Sequence, residues 1–206
     1  LVGEPFADNT YDAQGAIYMF SSTALQSTMS PSMATMRLDG IEKNDWLGWD
    51  IDTGDMDGDG LPEILSGAPG AQQATGKAYI WRGEDLTSGD STKPRYRIIG
   101  ENQQDRFGRS VLLSDYNGDG YQDAIIGAPR HSEVEVGQQQ YDAGKLYIFL
   151  GTNDFRNWTP LRQASDSDYF SQGEQQYLRT GQFILSHDIN SDGAEDLLVL
   201  QRLRNQ

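Results

Sequence analysis

The sequence predicts an all-β fold of four-stranded antiparallel units, stacked as the blades of a β-propeller. Three observations predict it: an acidic nonapeptide present three times, glycine and aromatic landmarks that move with it, and a short apolar run after each copy. About three such blades fit in the 206 residues.

The nonapeptides are Asp55-Met56-Asp57-Gly58-Asp59-Gly60-Leu61-Pro62-Glu63, Asp115-Tyr116-Asn117-Gly118-Asp119-Gly120-Tyr121-Gln122-Asp123 and Asp188-Ile189-Asn190-Ser191-Asp192-Gly193-Ala194-Glu195-Asp196. Each offers side-chain oxygens at its first, third, fifth and ninth residues and a glycine at its sixth. Hard oxygen donors around a glycine turn suit Ca²⁺. The chain has no Cys, which points away from zinc, copper and iron–sulfur chemistry. An EF-hand begins the same way but needs a bidentate Glu at its twelfth residue and a helix on each side. Ser66, Ile126 and Val199 stand there instead. The runs Ile64-Leu65-Ser66, Ala124-Ile125-Ile126 and Leu197-Leu198-Val199-Leu200 read as buried strands, so each loop feeds a strand.

Other landmarks keep step with the loops. Trp46-Leu47-Gly48, Arg106-Phe107-Gly108 and Arg179-Thr180-Gly181 precede them. Gly67-Ala68-Pro69 and Gly127-Ala128-Pro129 follow the first two. Then come Gly76-Lys77-Ala78-Tyr79-Ile80-Trp81 and Gly144-Lys145-Leu146-Tyr147-Ile148-Phe149, and Gly15-Ala16-Ile17-Tyr18-Met19-Phe20 is a third copy of that segment. Each unit therefore reads as four strands. The first covers 48–53 or 108–113, the second follows the acidic loop, and the third is the Gly-Lys segment. The fourth lies near 35–38, 95–99 or 161–163. The extra residues of the third unit fall at 130–143 and 152–176, and insertions confined to loops are what a repeating β-unit tolerates. The units divide residues 1–206 into a partial blade 1–39, blades 40–99 and 100–165, and a partial blade 166–206. A lone blade leaves its edges and faces open. The two partial blades can be completed by flanking blades of a longer chain or by a homodimer that closes one ring.

Composition agrees. Apolar residues are 36% of the chain and glycines number 23, a mix suited to many turns. The net charge of −15 argues against nucleic acid as a partner. There is no apolar run of about 18 residues, so no helical membrane span is expected.

The order Phe-Gly, acidic loop, Gly-Ala-Pro resembles the FG-GAP repeat, found in the β-propellers of integrin α-subunits and of many bacterial surface proteins. The resemblance implies Ca²⁺ in up to three hairpin loops on one face of a propeller. Site one would use the side chains of Asp55, Asp57, Asp59 and Glu63 with the carbonyl of Leu61. Site two would use Asp115, Asn117, Asp119 and Asp123 with the carbonyl of Tyr121. Site three would use Asp188, Asn190, Asp192 and Asp196 with the carbonyl of Ala194. The chain departs from the pattern in three places: Glu63 for the closing Asp, Thr180-Gly181 for Phe-Gly, and Leu200-Gln201-Arg202 where Gly-Ala-Pro is expected.

Catalytic residues are not expected. Ser186-His187-Asp188 is consecutive, whereas triad partners converge from separate segments. His131 lies in a polar insertion and is expected at the surface. Trp46, Trp49 and Trp81 are expected to pack between blades. The expected function is a calcium-binding, non-enzymatic adhesion or ligand-binding module with a protein or carbohydrate partner. Its expected place is the cell surface, the extracellular space or the periplasm. The alternatives are an accessory propeller of a larger secreted, phospholipase-like hydrolase, and a calcium-stabilised lectin.

Overall fold

A computed structural model describes residues 1–22, 30–88, 93–135 and 138–201. The first sheet holds β1 (Val2–Glu4), β2 (Ala16–Met19) and β3 (Met36–Asp39), in that order. The second is an antiparallel meander of β4 (Ile51–Gly54), β5 (Glu63–Ala68), β6 (Lys77–Trp81) and β7 (Tyr96–Ile99). The third contains β8 (Ser110–Ser114) and β9 (Asp123–Ala128). A hairpin of β10 (Glu133–Glu135) and β11 (Gln138–Gln140) then rises from the insertion after Pro129. The chain continues through β12 (Lys145–Phe149), β13 (Leu161–Gln163) and β14 (Tyr169–Gln172) to a final pair, β15 (Phe183–His187) and β16 (Asp196–Leu200).

The third sheet corrects one expectation. Its fourth strand is β14, bonded to β12 from Lys145↔Gln172 to Ile148↔Tyr169. The segment expected in that place, β13, leaves its own unit and pairs in parallel with β7 as a fifth strand of the second sheet. The insertion after Phe149 gives the chain enough length to reach that edge and return. Contacts of Tyr96 help hold it there. The Phe155 ring sits 4.7 Å from that of Tyr96, and the Tyr96 hydroxyl donates to the Phe155 carbonyl at 3.0 Å. Covering an outer edge removes a row of unpaired backbone groups.

The sheets stack face to face, and the core lies between them. Ile17, Leu38, Leu47, Ile64, Tyr79 and Trp81 fill the first interface. Leu65, Ile80, Tyr96, Phe107, Ile126, Tyr147 and Phe149 belong to the second. Ile125, Leu146, Ile148 and Ile184 fill the third. The middle strands β5, β6, β9 and β12 are buried along their whole length, which explains why they read as near-continuous apolar runs.

The glycine landmarks are contacts between successive sheets. A Cβ on Gly3, Gly67 or Gly127 would fall about 2 Å from the carbonyl oxygen of Gly48, Gly108 or Gly181 respectively. The glycine of each Gly-Ala-Pro thus lies against the glycine of the next Phe-Gly. Thr180-Gly181 makes the same approach without an aromatic, so the departure in the fourth unit leaves this contact intact. Asp50 and Asp52 of the second sheet accept from the Val111 and Leu113 N–H groups of β8, at 2.9 and 2.8 Å. They satisfy inner-edge donors that would otherwise lack partners.

Candidate metal centres

The three acidic loops occupy the same place in successive sheets, between the first and second strands. Their backbones repeat. The fourth residues, Gly58, Gly118 and Ser191, have φ of 73°, 72° and 62°. The sixth, Gly60, Gly120 and Gly193, have φ of 84°, 91° and 92°. No atom lies within 4 Å of a Cβ built on the latter three, so glycine is there for its backbone freedom and not for space.

The side chains fold inward in one pattern. Asp55 Oδ2, Asp115 Oδ2 and Asp188 Oδ2 accept from the N–H groups of Gly60, Gly120 and Gly193 at 2.9, 2.9 and 3.0 Å. The fifth residues, Asp59, Asp119 and Asp192, accept from the N–H two residues on. The closing carboxylates Glu63, Asp123 and Asp196 accept from the N–H groups of Met56, Tyr116 and Ile189. These bonds set the loop's shape before any ion enters. Neighbouring loops also touch: Gln122 N–H donates to the Asp55 carbonyl at 3.0 Å, and Glu195 N–H to the Asp115 carbonyl at 3.4 Å.

Convergence differs among the loops. Among the described residues, the one acidic group with ligand atoms mutually within 4.8 Å is Asp55, Asp57 and Glu63. The other two loops have Asn117 and Asn190 at the third position. Asn117 Nδ2 there donates to Asp119 at 2.9 Å.

The closing carboxylates are short of positive charge. Burial raises Glu63 to about 7, Asp57 and Asp59 push the same way, and the N–H groups of Met56 and Gly83 only partly offset this. Burial likewise raises Asp123 to about 6, opposed by the N–H groups of Gly151 and Tyr116. A buried carboxylate held above its ordinary range is a group that a divalent cation would return to its charged form. The donor sets therefore fit a hard cation, with oxygens only and a buried anchor in the first two loops. A guanidinium is already present at site one. Arg82, buried, lies 3.2 Å from Asp57 Oδ2 and 3.9 Å from Asp59 Oδ2, and it also pairs with Glu84. Sequence reasoning missed it. The available signal was the comparison of Trp81-Arg82-Gly83 with Phe149-Leu150-Gly151.

A profile of the FG-GAP repeat matches residues 47–81 and 107–149. The chain carries FG-GAP repeats. Curated relatives agree. Integrin alpha-PS2 of Drosophila melanogaster is 27% identical over 203 residues, 95% of this chain and 13% of that protein. Integrin alpha-IIb of Mus musculus is 32% identical over 157 residues, 75% of this chain and 14% of that protein. Phosphatidylinositol-glycan-specific phospholipase D of Rattus norvegicus is 29% identical over 189 residues, 87% of this chain and 21% of that protein. The chain thus spans a small part of each relative's length. Its sheets are FG-GAP propeller blades, and no helix among the described residues is long and apolar enough to cross a membrane.

The FG-GAP frame also places the remaining candidates. His131 is not at the surface as expected. It is 2% exposed, and its Nδ1 lies 2.7 Å from Asp105 Oδ2. In the preceding repeat Asp45 holds the Tyr79 hydroxyl at 2.8 Å, so His131 stands in for a phenol as partner of the repeat's buried Asp. Ser186 donates to Glu195 at 2.6 Å, while Asp188 takes N–H groups of its own loop. The tripeptide at 186–188 is therefore not wired as a triad. Trp81 is buried between sheets as expected, and Trp46 and Trp49 are half-buried beside Phe6.

Proposed function

We propose that this chain is a calcium-stabilised, non-enzymatic propeller module that binds a protein or carbohydrate ligand outside the cell. The observation that carries the calcium assignment is the threefold loop with its buried, cation-poor closing carboxylates Glu63 and Asp123. Asp55, Asp57, Asp59, Glu63 and the Leu61 carbonyl would hold the first ion. Asp115, Asn117, Asp119, Asp123 and the Tyr121 carbonyl would hold the second. Asp188, Asn190, Asp192, Asp196 and the Ala194 carbonyl would hold the third. An ion in such a cage supplies positive charge and ties the first strand of a blade to the second. Extracellular sites of this kind bind in the range of about 10⁻⁴ to 10⁻³ M. The integrin α relatives support the adhesion part of the reading.

A second reading, an accessory propeller of a larger hydrolase, is favoured by the phospholipase D relative, which aligns with 87% of this chain. The third class, a lectin, keeps the same calcium loops and differs only in its ligand. The exposure of the last sheet supports a partner there. Phe183, Leu185, Leu198 and Leu200 are 44–65% exposed on β15 and β16, a face that a further blade or a second copy would cover.

The test is thermal melting in millimolar calcium and in EGTA, with molar mass by light scattering in both. Calcium is expected to raise the melting temperature. Identical melts would remove the metal assignment.

A further inference from the structure

The strand topology separates two ends of the sheets. The acidic loops lie at one end, and at the other lie the loops after β5 and β9 and those before β4, β8 and β15. Arginines from separate loops meet at that second end, among acidic residues that include Glu42, Asp105 and Glu174. After burial, the charges of Arg130, Arg109 and Arg179, in that order, depress the pKa of Arg106, opposed by Asp142. Arg179 is already paired with Asp142 at 3.0 Å. Among the described residues, Arg106, Arg109 and Arg130 have no ion pair. Arg106 Nε is buried with no hydrogen-bond partner. Asp50, whose charge acts on Arg109, accepts from the N–H groups of Ile51 and Val111.

Aromatic rings adjoin these arginines. Phe6, which is 60% exposed, meets Trp46 and Trp49 edge-on, with centroids 5.7 and 6.0 Å away. The Arg109 guanidinium lies 4.7 Å over Trp49, and that of Arg106 lies 5.9 Å over Trp46. A guanidinium held over an indole is fixed in place, and its planar fork of N–H donors matches a carboxylate. The repeat fixes the backbone at these positions, and Arg179 shares it at φ 53°. Trp46 and Arg106 occupy the residue before the landmark Leu-Gly or Phe-Gly, at φ of 59° and 58°. That conformation is unfavourable for large side chains, so substitutions there must tolerate it.

We propose that this end of the molecule binds an acidic peptide segment, its carboxylates on Arg106, Arg109 and Arg130 and an apolar side chain against Phe6, Trp46 and Trp49. The three arginines complement carboxylates, and arginine and tryptophan are enriched among the residues that carry binding energy at interfaces. A sugar ring needs an open, flat aromatic face, and here guanidinium groups lie over the two indoles. The proposal deepens the ligand-binding reading and rests on it.

Tryptophan fluorescence of the whole chain in millimolar calcium tests it, titrating a short blocked peptide of alternating Glu and Phe. Its Gln-for-Glu counterpart and a heparin oligosaccharide are the comparison probes. The Glu peptide is expected to saturate the signal, and the Gln peptide to bind at least about tenfold more weakly. The double variant Arg106→Asn, Arg130→Ala is expected to lose affinity for the Glu peptide by a similar factor, because Asn tolerates the backbone at 106. Its calcium-dependent melt should match that of the parent, which separates lost binding from lost folding. Three results would overturn the proposal: no saturable binding of the Glu peptide, equal binding of the Gln peptide, or tighter binding of heparin, which would assign the surface to an anionic glycan. Failure of the calcium assignment shows separately, as a melt indifferent to EGTA.

Discussion

Sites one and two share a loop and differ in their surroundings. Both loops have glycine in the left-handed region at the fourth and sixth residues and the same inward bonds to the first aspartate. At site one, Arg82 leaves β6 and puts a buried guanidinium on Asp57. At site two the matching residue is Leu150, and the third ligand is the neutral Asn117. The nonapeptide thus specifies the turn, while a residue on another strand decides how much negative charge awaits an ion. Site one has more carboxylate and an internal counter-charge, and site two has less of both. A guanidinium beside a ligand competes with a cation, so site one should bind calcium more weakly than its acidic content suggests.

The two sites should differ most at Arg82. Arg82→Leu should destabilise the EGTA-treated protein by about 3–5 kcal/mol, because it leaves Asp57 buried without its cation. Calcium should recover most of that loss, as read by urea unfolding with and without the ion. Removing calcium from the parent should cost about 2.7 kcal/mol for each site filled at roughly a hundred times its Kd. Asp119→Ala should reduce that calcium response without touching site one. The loops should respond alike to Gly60→Ala and Gly120→Ala, each losing about 1–2 kcal/mol through the left-handed backbone alone. Unequal losses would show that the two turns are not equivalent.

The two sites also make stability depend on pH. Glu63 is raised from its ordinary 4.5 to about 7 and Asp123 from 3.8 to about 6. The metal-free fold therefore holds protons that the unfolded chain releases. Its stability should rise as pH falls from about 7 toward 4.5, and decline as pH climbs through the folded values. Glu63→Gln should flatten the upper part of that slope, and saturating calcium should flatten it as well by holding the carboxylates charged.

Much of this was legible in the sequence because it repeats. The strands around Ile64-Leu65 and Ile125-Ile126 are buried on both faces and announce themselves as apolar runs. The loops carry their own turn chemistry. What was not legible depends on contacts between units. β13 looked like an outer strand of the third blade, yet a long insertion let it cross to β7. The better marker for the outer strand was the glycine that ends it. Gly40, Gly100 and Gly173 each press against a neighbouring carbonyl, and Gly173 follows β14 directly. His131 was expected in solvent because its sequence neighbours are polar. Its burial comes from Asp105, which no local pattern links to it. The Arg82 pair with Asp57 and the arginine cluster at the opposite end share that origin, since both bring together side chains distant in sequence.

The most direct test of the central claim is a calorimetric calcium titration of the parent chain beside Arg82→Leu. Calcium should bind the parent, with one class of sites strengthened in the variant and the others unchanged. No heat of binding in either protein, with no response of the melt to EGTA, would contradict that claim.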